Sequence, residues 1–304
     1  MRLFDLRKWL APNRRQREPA LAGGWAEDEV GPAHHEEPPP DPESAWTPQR
    51  IEIVERLWGE GCLWPGGSDE VLRVAVPFGL SAASSLLYLG AGTGGPPLRL
   101  AGELGVWVHA CEADPVLLSV AARRVQRAGV ALAKRATMLG WDPAVPSFRK
   151  HAFNHALAIE ALRGPRPEDT VAAMCAAVRP GGQIGIVETI APQPLAAHDP
   201  LVAAWSRLER RDLPVAGVDW VMRPLARLGW EVRVNEDVSA RHVRLAVTGW
   251  KRLVREMRQE RPPPRRAAAV VTEAELWLRR IQLLRSGQLR VMRWLAISTA
   301  APGG

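Results

Sequence analysis

The sequence predicts an α/β fold, a mostly parallel sheet with helices on both faces, and three observations predict it. From Ser85 onward, short apolar runs alternate with helix-length segments. A glycine-rich stretch, Leu89-Gly90-Ala91-Gly92-Thr93-Gly94-Gly95, joins the first run to a helix opening at Pro96-Pro97. Arg179-Pro180-Gly181-Gly182 makes a tight reversal between a later helix and the next run. Parallel strands need crossover connections, and helical crossovers cover both faces of a sheet. The 304 residues are 46% hydrophobic and 24% charged, ordinary globular usage that excludes a disordered chain, a collagen and a coiled coil.

In chain order, Leu3, Phe4, Leu6, Trp9 and Leu10 fall on one helical side of the first ten residues. That segment reads as a weak interfacial or docking helix, or as a first turn packed on its own domain. Residues 11–47 contain HHEEPPPDP and bury too little apolar area to offset ordering entropy, so residues 1–46 are expected to be a flexible extension in which His34-His35 has no role. Thr47-Pro48 ahead of Ile51, Ile53, Val54 and Leu57 predicts a capped helix, followed by a Gly/Pro loop over 59–67 and a helical run over 69–75. Strands are expected at 86–89, 106–111, 152–159, 183–189, 230–238 and 289–298. Helices are expected from Pro96 to Gly105, from Asp114 to Gly129, and over 168–178, 201–211, a stretch ending at Gly229, and 239–258. A further helix over 273–285 would open with a capping box of Thr272 and Glu275. The last run alternates Leu289, Val291, Arg293, Leu295 and Ile297, as a strand does. If it joins the sheet, residues 47–300 form one domain, with 301–304 as a tail.

Charge and cysteine content narrow the setting. The formal charge is +7, with 36 Arg against 4 Lys, and residues 241–304 carry 14 basic and 4 acidic groups. Such a surface could meet phosphate or an anionic membrane, or could simply be solvated helix faces. Cys62, Cys111 and Cys175 are widely spaced, without a zinc or disulfide pattern, so no metal is expected. MRLFDLRKWL is too short and charged for a signal-peptide core, and the uncharged run Val74–Leu98 is broken by three prolines and five glycines, so no transmembrane segment is expected and the expected place is the cytoplasm.

The chemistry concentrates around Gly90, Gly92 and Gly95, which satisfy G-x-G-x-x-G between a strand and a helix. Glycine there permits a sharp turn and close approach of a ligand, and the helix N-terminus offers unpaired N–H groups. Glu112, 22 residues after Gly90 at the end of the next strand, can bind both hydroxyls of a ribose. These features alone also describe a nicotinamide-binding fold. About 40 ordered residues ahead of the first strand, the Arg179–Gly182 reversal and Gly229-Trp230 ahead of a late strand separate the two readings. With them, residues 50–298 resemble the class I S-adenosylmethionine (SAM)-dependent methyltransferases. Leu57-Trp58-Gly59-Glu60-Gly61-Cys62-Leu63-Trp64-Pro65-Gly66-Gly67 is similar to the entry loop of the small-molecule N-methyltransferases of the phosphoethanolamine and sarcosine type, though Cys62 stands where that family has an aromatic hydroxyl and Trp64-Pro65 replaces its serine region.

The resemblance implies a Rossmann-like, seven-stranded, mostly parallel sheet whose last strand is antiparallel. It implies SAM as cofactor, with Gly90, Ala91, Gly92, Thr93 and Gly94 along its methionine part, Glu112 and Ala113 at its ribose, and Asp142 near its adenine amine, unless Asp142-Pro143 only opens a turn. Trp141 would cover the adenine or pack in the core. Ligands in open α/β sheets lie beyond the carboxyl ends of the strands, which makes Glu160 and Glu188 the candidate catalytic carboxylates for an amine acceptor, unless each meets an arginine or caps a helix. His155 reads as a packed core histidine. Tyr88, the single tyrosine, falls inside the first strand and leaves the pocket without a phenolic base. The expected partner is a small-molecule methyl acceptor, with weak peripheral membrane contact possible and no nucleic acid. Two rivals remain: a non-catalytic binding protein on the same fold, and an RNA methyltransferase using the basic C-terminal helices.

Overall fold

A computed structural model describes residues 45–259 and 262–299. The expectations for the N-terminal extension, its apolar first ten residues and the tail lie outside the described residues.

Helix α1 (Pro48–Trp58) begins where Thr47 caps it through its side chain to Arg50 N, and α2 (Gly67–Ala75) runs into a single 3-10 turn at Val76–Phe78. There follow β1 (Ser85–Leu89), α3 (Gly95–Leu104), β2 (Trp107–Glu112), α4 (Pro115–Arg127), α5 (Val130–Arg135), β3 (Ala136–Gly140), β4 (Phe153–Ile159), α6 (Pro167–Ala177) and β5 (Val178–Ile190). The chain continues through α7 (Pro200–Glu209), α8 (Asp219–Arg227), β6 (Trp230–Asp237), α9 (Ser239–Gln259), α10 (Pro264–Arg285) and β7 (Arg290–Ser298). The seven strands form one sheet in the order β3-β2-β1-β4-β5-β7-β6. Strands β1 to β5 pair in parallel, and β7 lies antiparallel to both β5 and β6. The topology is the expected one.

Three local expectations are corrected. The short α5 and β3 were not foreseen, because only Ala136 of β3 is buried and the segment lacks an alternating apolar pattern. Thr272 is not a helix start: α10 begins at Pro264, runs through unbroken, and Thr272 Oγ1 donates to Ala268 O one turn back. The Arg179–Gly182 reversal lies within β5 as a bulge, where the register against β4 shifts and Gly181 takes φ +77°.

Side-chain alternation along β1 sends Leu86 and Tyr88 to one core and Leu87 and Leu89 to the other. Helices α9 and α10 pack on α1 to make a third core of Val54, Leu57, Trp58, Trp250, Leu253 and Trp277. His155 is half-buried, 5.5 Å from the Phe78 ring, and burial lowers its proton affinity.

Candidate active site

After β1 the backbone turns through Gly90 (φ +84°), Gly92 (φ +58°) and Gly94 (φ +92°), where α3 begins. These left-handed angles suit glycine, and a Cβ on Gly90 would lie 2.2 Å from Ile159 O. Gly90 N and Ala91 N donate to Cys111 O, tying the turn to β2. At the end of β2 the Glu112 carboxylate accepts from Gly92 N at 2.7 Å, Ala113 N at 2.9 Å and Asp114 N at 3.0 Å. Burial raises its pKa, against the opposing pull of those three N–H groups.

The Gly59–Gly67 loop closes directly on this turn. Gly95 N donates to Gly61 O at 3.0 Å, and a Cβ on Gly61 would lie 2.5 Å from Gly95 Cα. Arg124 fastens the loop, the turn and α1 together by donating to Thr93 O, Glu60 and Glu55. Cys62 contacts Ser68 Oγ at 3.1 Å, and burial pushes its thiol pKa up.

Between these parts and a helical cap of α1 and α10, on which α9 packs, lies a cavity of about 400 Å³. One end is lined by Gly90, Ala91, Gly92, Glu112, Ala113 and Trp141. The other is lined by Tyr88, Trp64, Glu160, Glu209, Trp277 and Arg280. Tyr88 is buried in β1 as expected, but it does face the cavity. Burial lifts its phenol far above the ordinary tyrosine range, so it stays a neutral hydroxyl.

Glu160 follows β4 in a left-handed conformation (φ +51°). Its Oε1 accepts from Arg280 at 2.8 Å and from Thr189 Oγ1, while Arg163 and Arg211 lie 3.3 and 3.5 Å from Oε2. Burial alone would raise its pKa, but these guanidiniums hold it well below the carboxylate range. Glu209 accepts from Arg163 at 2.9 Å and Arg280 at 3.1 Å, and its pKa is likewise lowered. Glu188 does not reach the cavity wall: it is wholly buried, accepting from Arg211 at 2.9 Å and Leu162 N at 2.9 Å.

No family model matches the chain. It is 26% identical over 141 residues to phosphoethanolamine N-methyltransferase 2 of Caenorhabditis elegans, an alignment covering 46% of this chain and 32% of that protein. Its structure superposes on the Haemonchus contortus phosphoethanolamine N-methyltransferase 2 complexed with phosphomonomethylethanolamine and S-adenosylhomocysteine (SAH), with TM-score 0.71, 17% identity, 82% of this chain and 57% of that one. It also superposes on the [4+2]-cyclase SpnF, with TM-score 0.63, 19% identity, 82% of this chain and 93% of that one. The chain has the class I methyltransferase fold.

On that fold, the expected residues Gly90, Ala91, Gly92, Glu112 and Ala113 meet at one end of the cavity. Thr93 and Gly94 lie behind the wall: the Thr93 hydroxyl donates to Glu55, and a Cβ on Gly94 would meet Ala121 at 3.2 Å. Asp142 is exposed and accepts from Ala144 N at 2.8 Å, the turn-opening role, while Trp141 beside it does line the cavity. Both candidate carboxylates, Glu160 and Glu188, meet arginines. Sequence reasoning missed Glu209, Glu273, Trp277 and Arg280. They come from helices α7 and α10, distant in sequence, and nothing local marks them as wall residues.

Proposed function

We propose that the protein is a SAM-dependent methyltransferase acting on a small molecule. The observation that carries this is the Glu112 carboxylate at the cavity wall, opposite glycines without side chains. A carboxylate has about four acceptor sites, and three are taken by backbone N–H groups, which leaves capacity for a ribose hydroxyl. Gly90 and Gly92 would flank the methionine part, and Trp141 would cover the adenine; the residues present fit the cofactor. When bound, SAM would supply a methyl group activated on its sulfonium sulfur for transfer to a lone pair of the acceptor, the electron pair of the sulfur–methyl bond staying on sulfur and any acceptor proton being lost once the product reaches solvent.

The chain's own contribution is alignment and exclusion of water. Aligning reactants in one cavity can supply much of such a reaction. Glu160 is so strongly held by guanidiniums that it serves as a positioning group for Arg280, not as a proton acceptor. Calorimetry with SAM and SAH tests the reading: Glu112→Ala should weaken binding about 10- to 100-fold, the worth of hydrogen bonds to a charged group, and a folded protein that binds neither ligand would sink it. A second reading, a methyltransferase-fold protein without methyl transfer, is favoured by the likeness to a protein described as a [4+2]-cyclase. SAM bound without release of SAH across acceptor panels would select it.

A further inference from the structure

The arginine end of the cavity carries information about the acceptor, and this step rests on the methyltransferase reading above. Four carboxylates, Glu160, Glu188, Glu209 and Glu273, lie at or directly behind this end, and each accepts from at least one of Arg50, Arg163, Arg211 and Arg280. Arg280, whose side chain is 5% exposed, divides its N–H groups between Glu160, Glu209 and Thr189 Oγ1. Arg211 is committed to Glu188 and to Thr189 O, and Arg50 to Glu273 and Ala45 O. Arg163 spans Glu160 and Glu209, and Arg210, also on the wall, is itself engaged.

An acceptor phosphate or carboxylate could take the N–H groups these arginines leave open, but the four arginines of the lining face five acidic side chains, so no net positive charge is left to offset its burial, and drawing a guanidinium away would leave a buried carboxylate uncompensated. An ammonium group meets carboxylates that are already matched, in a low-dielectric cavity. The unpartnered Oε2 of Glu209 belongs to a group held by two guanidiniums. The rest of this wall is apolar or aromatic: Val71, Tyr88, Ile159, Leu276 and Trp277. Two buried donors of lining residues, Nε1 of Trp64 and Nε of Arg280, have no hydrogen-bond partner in the protein. The Nε1 atoms of Trp58, Trp205, Trp250 and Trp294, away from the wall, are unpaired too, so it is the place of Trp64 and Arg280 on the cavity lining that lets an acceptor oxygen pair them.

We infer that the acceptor is an uncharged, largely apolar molecule bearing a hydroxyl or carbonyl oxygen, and that the pairing of Arg280 with Glu160 and Glu209 excludes phosphorylated, carboxylated and ammonium-bearing molecules. A matched series on one naphthol scaffold tests this: the neutral parent and its carboxylate, phosphate and aminomethyl derivatives, titrated by calorimetry into the full chain with and without SAH. The neutral parent should bind at least tenfold tighter than every charged member. A charged member binding within tenfold of it, or no binding of the parent, would overturn the inference. Failure of SAH alone to bind would instead sink the cofactor reading, which the SAH-free titrations leave separable. In Glu209→Gln, with a guanidinium released from its carboxylate, binding of the carboxylate and phosphate derivatives should improve at least tenfold; no gain in a folded variant would count against the pairing as the excluding device.

Discussion

Glu112 is the residue the sequence singled out for the proposed ribose contact, because the glycine spacing and the following strand set where a carboxylate would meet a ribose. The geometry adds a structural duty. Its Oε1 takes two backbone N–H groups and its Oε2 a third. In Glu112→Gln the amide oxygen can serve the pair at Oε1 only by turning its NH2 toward the Gly92 N–H, so we expect weaker SAH binding together with a lower melting temperature; a variant that loses affinity at unchanged stability would show that the turn does not depend on this carboxylate. His242 was not singled out in the sequence, since a histidine inside a helical apolar pattern carries no local signal. It is buried between the rings of Trp64 and Trp277, at 5.5 and 5.7 Å, with neither ring nitrogen partnered. Burial, helped by the Arg280 charge, pushes its pKa down to about 3 from 6.5. A depressed folded-state pKa means that the unfolded chain takes up the proton first, so stability is full above the unfolded pKa and falls as pH drops through the window between the two values. Stability should therefore decline from pH 7 to 5, by as much as about 2 kcal/mol from this group, and His242→Phe should flatten that decline in urea titrations. An unchanged slope would mean that other groups carry it.

At the scale of elements, the Gly59–Gly67 loop and the glycine turn act as one unit because their backbones touch. Gly61→Ala places a methyl 2.5 Å from Gly95 Cα, at a position with φ +74°, so neither the loop nor the turn can keep its place. We expect SAH affinity to fall with little change in overall helix content by circular dichroism; wild-type affinity would show that the loop does not close the site. The cap offers a parallel case. Gly249 in α9 lies under Trp58 of α1, where a Cβ would meet Trp58 Cζ3 at 2.5 Å and Leu57 O at 2.6 Å. Overpacking of this kind costs about 1–3 kcal/mol, so Gly249→Ala should unfold at lower urea concentration, and an unchanged midpoint would place α9 more loosely on α1. Element identity was largely legible, since Pro48, Asp114, Gly105 and Gly229 punctuate the chain where helices begin and end. What escaped was local and weakly patterned, as in β3, or was a motif that tertiary packing overrode, as at Thr272 in the middle of α10.

Across the whole molecule, the sheet sets which ends converge, and α10, between β6 and β7, returns over those ends to complete the cavity. The strand half of the site could be read from Gly90 to Glu112 because its residues are neighbours in sequence. The cap half could not, because Glu160 and Arg280, bonded at 2.8 Å, are separated by 120 residues, and no pattern in either segment announces the other. Arg280 is the point where the two halves meet: it bonds Glu160 after β4, Glu209 at the end of α7 and Thr189 in β5. Removing one partner from such a buried cluster is costly, about 3–5 kcal/mol, so Arg280→Met should be strongly destabilised at pH 7. The pH dependence gives this prediction its specificity. Glu160 and Glu209 have depressed pKa values in the folded protein, so their contribution is present above the unfolded carboxylate pKa of about 4.3 and is lost as pH falls toward the folded values. In Arg280→Met that depression shrinks. The stability gap between wild type and variant should therefore be widest at pH 7 and narrow below about pH 4.3, read from paired urea titrations at the two ends of the range. A gap of constant width would mean that Arg280 stabilises the molecule through packing on Trp277, whose ring it covers at 5.2 Å, and not through the carboxylates it joins.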